Sequence, residues 1–397
     1  MNKFQVIIFF VINFSIGILN AQKTEFSGYV SEMPSEIWTN QPQSTFFWQN
    51  LVHNRLNFGW QINKNFRFDV NARTRLLAGS EKMLNADEIN ADNGAVDLSW
   101  NIFEKKNTIL NTSLDRLYFT FEKNKISLKF GRQRINWGQT FVWNPNDIFN
   151  TYSFFDFDYP ERSGCDAIRA TYYHSAVSSS ELAVSLGHGN EITAAAMHRW
   201  NWKNFDFQLI AGAMDVGGTK FPSLLEYQPA DLVLGGAWSG DIKGVSFRGE
   251  FSYFNPLENH AGFTQKKSFS SSVGLDYTFS NSLFLQAEML YNTNKSNNSL
   301  LSSVMMGSSS QPLSPKNLSF AQWNIFSQAS YPFTPRLNGA VSAIYYPDKD
   351  GFYGGFSLEY SLLQNLDLSV FMQNFYVSSN PKDVECLLGF VRLKYSF

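Results

Sequence analysis

Five histidines are the side chains best suited to move protons or hold a metal near neutral pH, and they are scattered: His53, His174, His188, His198 and His260. Their spacings match no metal-ligand pattern such as HExxH. No GxSxG elbow and no phosphate-cradling glycine loop occurs. His174 and His188 fall at the ends of expected strands in serine-rich surroundings, so a Ser/His site on a rim is the one catalytic arrangement left open. No catalytic residue, metal site or cofactor is assigned. The denser chemistry is basic. Nine of the thirteen arginines lie between residues 55 and 169. Within that span, residues 131–169 run GRQRINWGQTFVWNPNDIFNTYSFFDFDYPERSGCDAIR: two arginines, then aromatics and acids, then Asp166 and Arg169.

The rest of the chain must position that stretch. Residues 1–21 read as a secretory signal peptide, with Lys3 at the start, an apolar run over 6–19 and the small Ala21 before the cut. The run is shorter than the roughly 20 residues a membrane helix needs. No cysteine follows the cut, so no lipid anchor is expected there. Residues 22–397 read as one domain, without a linker or charge run to divide them. Formal net charge is −2 at pH 7, which argues against a nucleic-acid partner. Charged residues are only 17% of the chain while Phe numbers 38, sparse charge and heavy aromatics for a soluble protein. Cys165 and Cys386 are far apart, and no pairing is assigned to them.

Apolar and polar residues alternate with period two along most of the chain. Phe66, Phe68, Val70, Ala72, Thr74 and Leu76 oppose Arg67, Asp69, Asn71, Arg73 and Arg75. The same alternation recurs at 117–122, 205–211, 283–289 and 366–373. Such segments, separated by turn residues, mark a transmembrane β-barrel with a lipid-facing outside and a polar inside. The connections agree. Short turns near 63–65, 123–125, 177–179, 202–204, 240–244, 280–282, 334–335 and 363–365 mostly alternate with longer loops at 79–109, 135–163, 217–229, 255–267 and 293–318. Counting on this basis predicts an all-β, antiparallel transmembrane barrel of about 18 strands (16–18), with short periplasmic turns, long extracellular loops and a first strand at 25–31. A barrel of this width cannot be filled by wall side chains and leaves an aqueous lumen. Too little chain precedes the second strand to form a plug domain.

Parity sends Arg55, Arg67, Arg73, Arg75, Arg116 and Arg169 inward, as a basic wall that would draw anionic or polar solutes. Local pairing with Asp69, Asp115 or Glu122 is the competing reading. Strict alternation would aim Arg132 and Arg134 at lipid, where each would cost about 2–4 kcal/mol. A β-bulge at Gly131 would shift the phase and turn both into the lumen. The loop that follows is too aromatic to lie freely in water. It is expected to fold into the lumen as a constriction, bringing Asp147, Asp156, Asp158 and Glu161 toward the arginines; a cap on the outer rim is the alternative.

The C-terminal strand puts Leu387, Gly389, Val391, Leu393, Tyr395 and the final Phe397 on one face. Here the chain resembles outer-membrane barrel proteins. The resemblance implies that Val391, Leu393, Tyr395 and Phe397 carry a signal for the barrel-assembly machinery. GRQRINWG, WNPNDIFN and ERSGCDAIR together resemble segments of a group of porin-like Gram-negative outer-membrane barrels. That resemblance covers about 40 residues and implies an outer-membrane location and a passive channel, without naming a solute. The sequence therefore predicts a diffusion channel for small polar solutes, with anionic ones favoured by the arginines. The alternatives are a barrel hydrolase, or a closed or laterally opening barrel acting as a scaffold or an apolar-solute transporter.

Overall fold

The computed structural model describes residues 24–40, 43–152, 154–155, 161–216, 230–257, 267–293, 314–378 and 383–397. The signal-like segment, Asp156, Asp158 and loop 217–229 lie outside the described residues, as does most of loops 255–267 and 293–318. Nineteen strands form one antiparallel sheet. They begin with β1 (Thr24–Thr39), β2 (Thr45–Gln61), β3 (Phe66–Gly79), β4 (Ser99–Lys105), β5 (Thr108–Lys123) and β6 (Ile126–Gln133). Next come β7 (Cys165–Ser175), β8 (Ser178–Leu186), β9 (Ile192–Trp202), β10 (Phe205–Val216), β11 (Asp231–Ile242), β12 (Val245–Pro256) and β13 (Ser268–Thr278). The last are β14 (Phe284–Asn292), β15 (Trp323–Thr334), β16 (Leu337–Tyr346), β17 (Gly351–Leu363), β18 (Leu366–Val377) and β19 (Val384–Ser396). A five-residue helix, α1 (Ala86–Asn90), precedes β4.

The wall closes where β19 pairs with β1, giving a circuit of eighteen strands that omits β4. Closure leaves no open edge, which is what a sheet in lipid requires. The two faces divide as the alternation demands. Phe119, Phe130, Ile168, Leu182, Leu209 and Val341 are exposed on the outside, while Arg55, Asn111, Glu250, Ser270, Glu288 and Asn324 are buried within. Leu387, Val391, Leu393, Tyr395 and Phe397 join the exposed apolar band. Proline cannot donate to a ladder, and the β1–β19 pairing lapses at Met33 and Pro34 before resuming in the same register.

β4 is the element that alternation did not reveal. It pairs with residues 108–113 of β5, on the edge whose lower part, 117–123, pairs with β6. β6 stops at Gln133 because the chain leaves the wall there. The vacated edge of β5 would expose unpaired backbone, and β4 returns from the preceding loop to cover it.

The predicted bulge at Gly131 is corrected by the pairing. Gly131 lies opposite Tyr118 on one side and Ala167 on the other, with no inserted residue. The extra residue is on the neighbouring strand. Register between β3 and β5 breaks between Asn71 and Ala72, which oppose Arg116 and Leu114, so Asp115 is the bulged residue. Adjacent Asp115 and Arg116 are thereby both buried, and Asp115 pairs with Arg55. Gly131 serves a different need. Its φ is 116°, and a Cβ there would lie 2.3 Å from the Leu117 carbonyl oxygen. Only glycine tolerates both. Gly131→Ala is expected to cost about 1–3 kcal/mol, read as a lower urea midpoint for unfolding in micelles.

Candidate functional site

The chain between β6 and β7 does not cap the rim. It enters the barrel and touches the inner wall around much of the circumference. Ile135, Trp137 and Ile148 pack on the inward residues Ala167, Ala183, Met197, Ile210, Val233 and Phe254, from β7 to β12. Val142 and Trp143 pack in a second cluster with Leu290, Phe326, Ile344, Tyr353 and Phe375, from β14 to β18. Phe154 and Phe155 lie against that cluster, edge-on to Phe326, Tyr353 and Phe375. Trp137 is 1% exposed. This burial explains why a loop can carry so many aromatics: apolar area removed from water stabilises by roughly 25 cal/mol per Å².

A buried loop must also satisfy its backbone. Two carboxylates and an amide on the inner wall do so, and a third carboxylate holds the Trp137 indole. Glu288 accepts the N–H groups of Phe141 (2.9 Å), Val142 (3.2 Å) and Trp143 (2.9 Å), and the Ser272 hydroxyl at 2.9 Å. Glu250 accepts the Gln139 N–H at 2.6 Å. Glu181 accepts the Trp137 indole N–H at 2.6 Å, and Gln208 donates to the Trp137 carbonyl at 2.8 Å. Farther along, Asn146 donates to the Gly236 carbonyl at 3.0 Å and accepts from Ser252 at 2.7 Å. None of Glu181, Glu250 and Glu288 was picked out from sequence as a site residue. The available signal was an acid at an inward position in mid-strand, where a barrel wall meets a loop.

The returning end of the loop meets the arginine wall through its carbonyls. Arg116 donates to the Glu161 and Arg162 carbonyl oxygens at 3.0 and 2.7 Å. The Glu161 carboxylate instead accepts the Tyr29 hydroxyl at 3.1 Å. Arg162 stacks on the Tyr152 ring. Asp147 is buried in the Asn144–Asp147 turn, where the charges of Arg134 and Arg162 act on it.

The predicted arginines do gather on one side. Arg55 lies opposite Arg73, and His53 opposite Arg75, across β2 and β3. Arg73 Nε approaches His53 Nε2 at 3.3 Å, and Arg75 donates to the Ile89 carbonyl and Asn111 at 2.7 and 2.9 Å. Several are ion-paired: Arg67 with Asp69 (3.0 Å) and Glu25 (2.8 Å), Arg169 with Glu181 (3.6 Å). Arg132 is 5% exposed and contacts Asp166 at 2.8 Å, Asp92 at 2.5 Å and the Val96 carbonyl at 2.6 Å. It therefore fastens residues 92–96 over the ends of β6 and β7; in register with Asp166, on the face of Phe130 and Ile168, it does not enter the lumen as the sequence predicted, and its place is a buried ion-pair network. Toward the short-turn end, Arg67, Asp69, Tyr118, Glu122 and Lys129 line a cavity of about 140 Å³.

Comparison with known proteins bears on the fold. No protein-family model and no curated protein matches the chain in sequence. Solved structures do match in shape. The chain is similar to OccAB4 of Acinetobacter baumannii, at 13% identity and a TM-score of 0.52, over 95% of this chain and 100% of that one. It is also similar to two Pseudomonas aeruginosa proteins at 10% identity and a TM-score of 0.56. These are OccK5 (OpdH), over 94% of this chain and 98% of that one, and the outer membrane protein OpdK, over 94% and 99%. The fold is thus a closed, antiparallel, eighteen-strand barrel, shared with these outer-membrane proteins. No helix among the described residues is long and apolar enough to cross a membrane; the strands cross it.

Burial pushes the Asp147 carboxyl up to about 7, against the lowering effect of Arg134 and Arg162. The folded chain then holds this proton more tightly than the unfolded chain, whose Asp titrates near 3.9. The resulting stability is fully present below about pH 4 and is lost as pH rises through 7. Asp147→Asn removes the ionisation. The advantage of the variant in urea midpoint should therefore grow from pH 5 to pH 8.

Proposed function

We propose that the protein is an outer-membrane channel for the passive diffusion of small polar solutes, with anions preferred. The observation that carries this reading is the loop at 134–164, which crosses a wide barrel and is bonded to its inner wall at Glu181, Glu250 and Glu288. A barrel of eighteen strands is too wide for wall side chains alone to fill. In this reading the fixed inward loop narrows the lumen.

The basic side of the lumen supports the anion preference. Arg55, Arg73, Arg75 and Arg116 stand on three adjacent strands, with Tyr29 and His53 beside them. A low-dielectric wall strengthens the field of such a cluster on a passing ion. In this reading Arg134, Asp147 and Glu161 belong to the constriction, and Arg67 and Arg169 line the approach. Val391, Leu393, Tyr395 and Phe397 act as the recognition strand for barrel assembly. The partners are the lipid bilayer, the assembly machinery and the solute; no cofactor is required.

Planar-bilayer recording in a KCl gradient tests the proposal. Folded wild-type protein should conduct with a reversal potential on the chloride side. Arg73→Gln plus Arg75→Gln should lower the chloride-to-potassium permeability ratio about twofold or more. Absence of conductance from folded protein would sink the channel reading. An unchanged ratio in the double variant would remove these two arginines from selectivity.

A further inference from the structure

Away from the lumen, three polar side chains meet on the outer face of the wall. The His174 Nε2 lies 2.8 Å from the Ser180 hydroxyl, which lies 2.9 Å from the His198 Nδ1. The side chains come from β7, β8 and β9. Tyr172, Ser180 and His198 are in register across those strands, and His174 follows Tyr172 by one period on the same face. That face is the lipid side, because Ile168, Tyr172, Leu182 and Trp202 on it are exposed while Thr171, Glu181 and Met197 of the opposite parity are buried. The cluster sits beside the short turns at 176–177 and 203–204, at the end of the barrel away from the long loops.

Polar groups on a lipid-facing wall are costly unless they reach the headgroup layer or a partner. The surroundings fit the headgroup layer. His198 stacks on Trp200 with centroids 5.6 Å apart, and Tyr172 lies edge-on to His174 at 4.9 Å. Aromatic girdles of this kind mark the membrane–water boundary. The charges present are basic. Lys125 Nζ donates to the His174 carbonyl at 3.0 Å, and Lys203 Nζ lies 4.8 Å from the Trp202 ring centroid. No acidic side chain takes an outward position on β7, β8 or β9 in this half. Proton accounting adds direction. Ser180 has one hydroxyl proton to share between two imidazoles, so it donates to one ring and accepts from the other. Whichever tautomer is present, one imidazole then turns an N–H outward as a free donor.

We propose that His174, Ser180 and His198, flanked by Lys125, bind the phosphodiester headgroup of a phospholipid in the periplasmic leaflet. The imidazole N–H and the Lys125 ammonium supply donors to the phosphate oxygens, while Lys203 adds positive charge beside Trp202 farther along the belt. The aromatic belt packs against the glycerol and upper acyl chain. This inference rests on the membrane-barrel fold and not on conduction, so bilayer recordings stand or fall separately from it.

The test is a titration of full-length protein, labelled with ¹⁵N-histidine, in neutral-detergent micelles. His174→Gln and His198→Gln assign the imidazole signals. Three additions are compared: short-chain phosphatidylglycerol, inorganic phosphate, and the diacylglycerol of equal chain length. The His174 and His198 signals should shift saturably with phosphatidylglycerol, at a concentration about tenfold below that needed with phosphate. Ser180→Ala should raise that concentration about tenfold. Gel mobility before and after heating reports folding; if Ser180→Ala misfolds, Lys125→Gln takes its place, with the same expected direction. No shift with phosphatidylglycerol, or an equal response to the uncharged diacylglycerol, would overturn the site. Phosphate as effective as the lipid would overturn its assignment to a membrane headgroup.

Discussion

Three consecutive backbone N–H groups, of Phe141, Val142 and Trp143, converge on one carboxylate, Glu288. Much else in the molecule depends on that contact. A segment that leaves the wall of a barrel gives up its ladder partners and carries unpaired donors into a closed space. Each buried donor left unsatisfied would cost about 1–3 kcal/mol. Glu288 satisfies three, Glu250 a fourth, and Gln208 and Asn146 complete the attachment on the neighbouring strands. The aromatic residues then gain their burial against β7–β12 and β14–β18 without a backbone penalty to offset it.

The same departure from the wall reshapes the strands around it. β6 ends early, so the upper edge of β5 must be covered, and β4 covers it. The approach to β4 is secured by Arg132 through Asp92 and Asp166, a buried network whose members would be expensive to leave single. The bulge at Asp115 sets an acid and a base side by side on the interior. Asp115 answers Arg55, while Arg116 holds the returning end of the loop by two carbonyls. The basic wall is thus, in part, a device for fixing the loop.

The barrel was legible because its physics repeats. Period-two alternation, the short turns and the closing strand ending at Phe397 each report on lipid outside and water inside, and eighteen wall strands follow from them. β4 was hidden because it is short and borders a loop rather than a second full strand. The aromatics of the loop signalled burial, which left a cap on the rim open beside the inward fold; the contacts with both inner-wall clusters decide for the inward fold. Its anchors were not, because a glutamate at an inward position looks the same whether it faces water or a backbone. Gly131 shows a similar limit. Arg132 and Arg134 suggested that alternation fails there, but Arg132 keeps its register and is instead covered by residues 92–96; the nearby break in register is at Asp115, between β3 and β5.

If the loop is the constriction, weakening its attachment must widen the channel. Glu250→Gln plus Glu288→Gln keeps the shape of both side chains while replacing an oxygen of each with an NH2 group that cannot accept the N–H groups of residues 139 and 141–143. Single-channel conductance of the folded double variant should rise above wild type, with larger current fluctuations as the loop leaves its seat. Conductance and noise indistinguishable from wild type, in protein of unaltered gel mobility, would contradict the account.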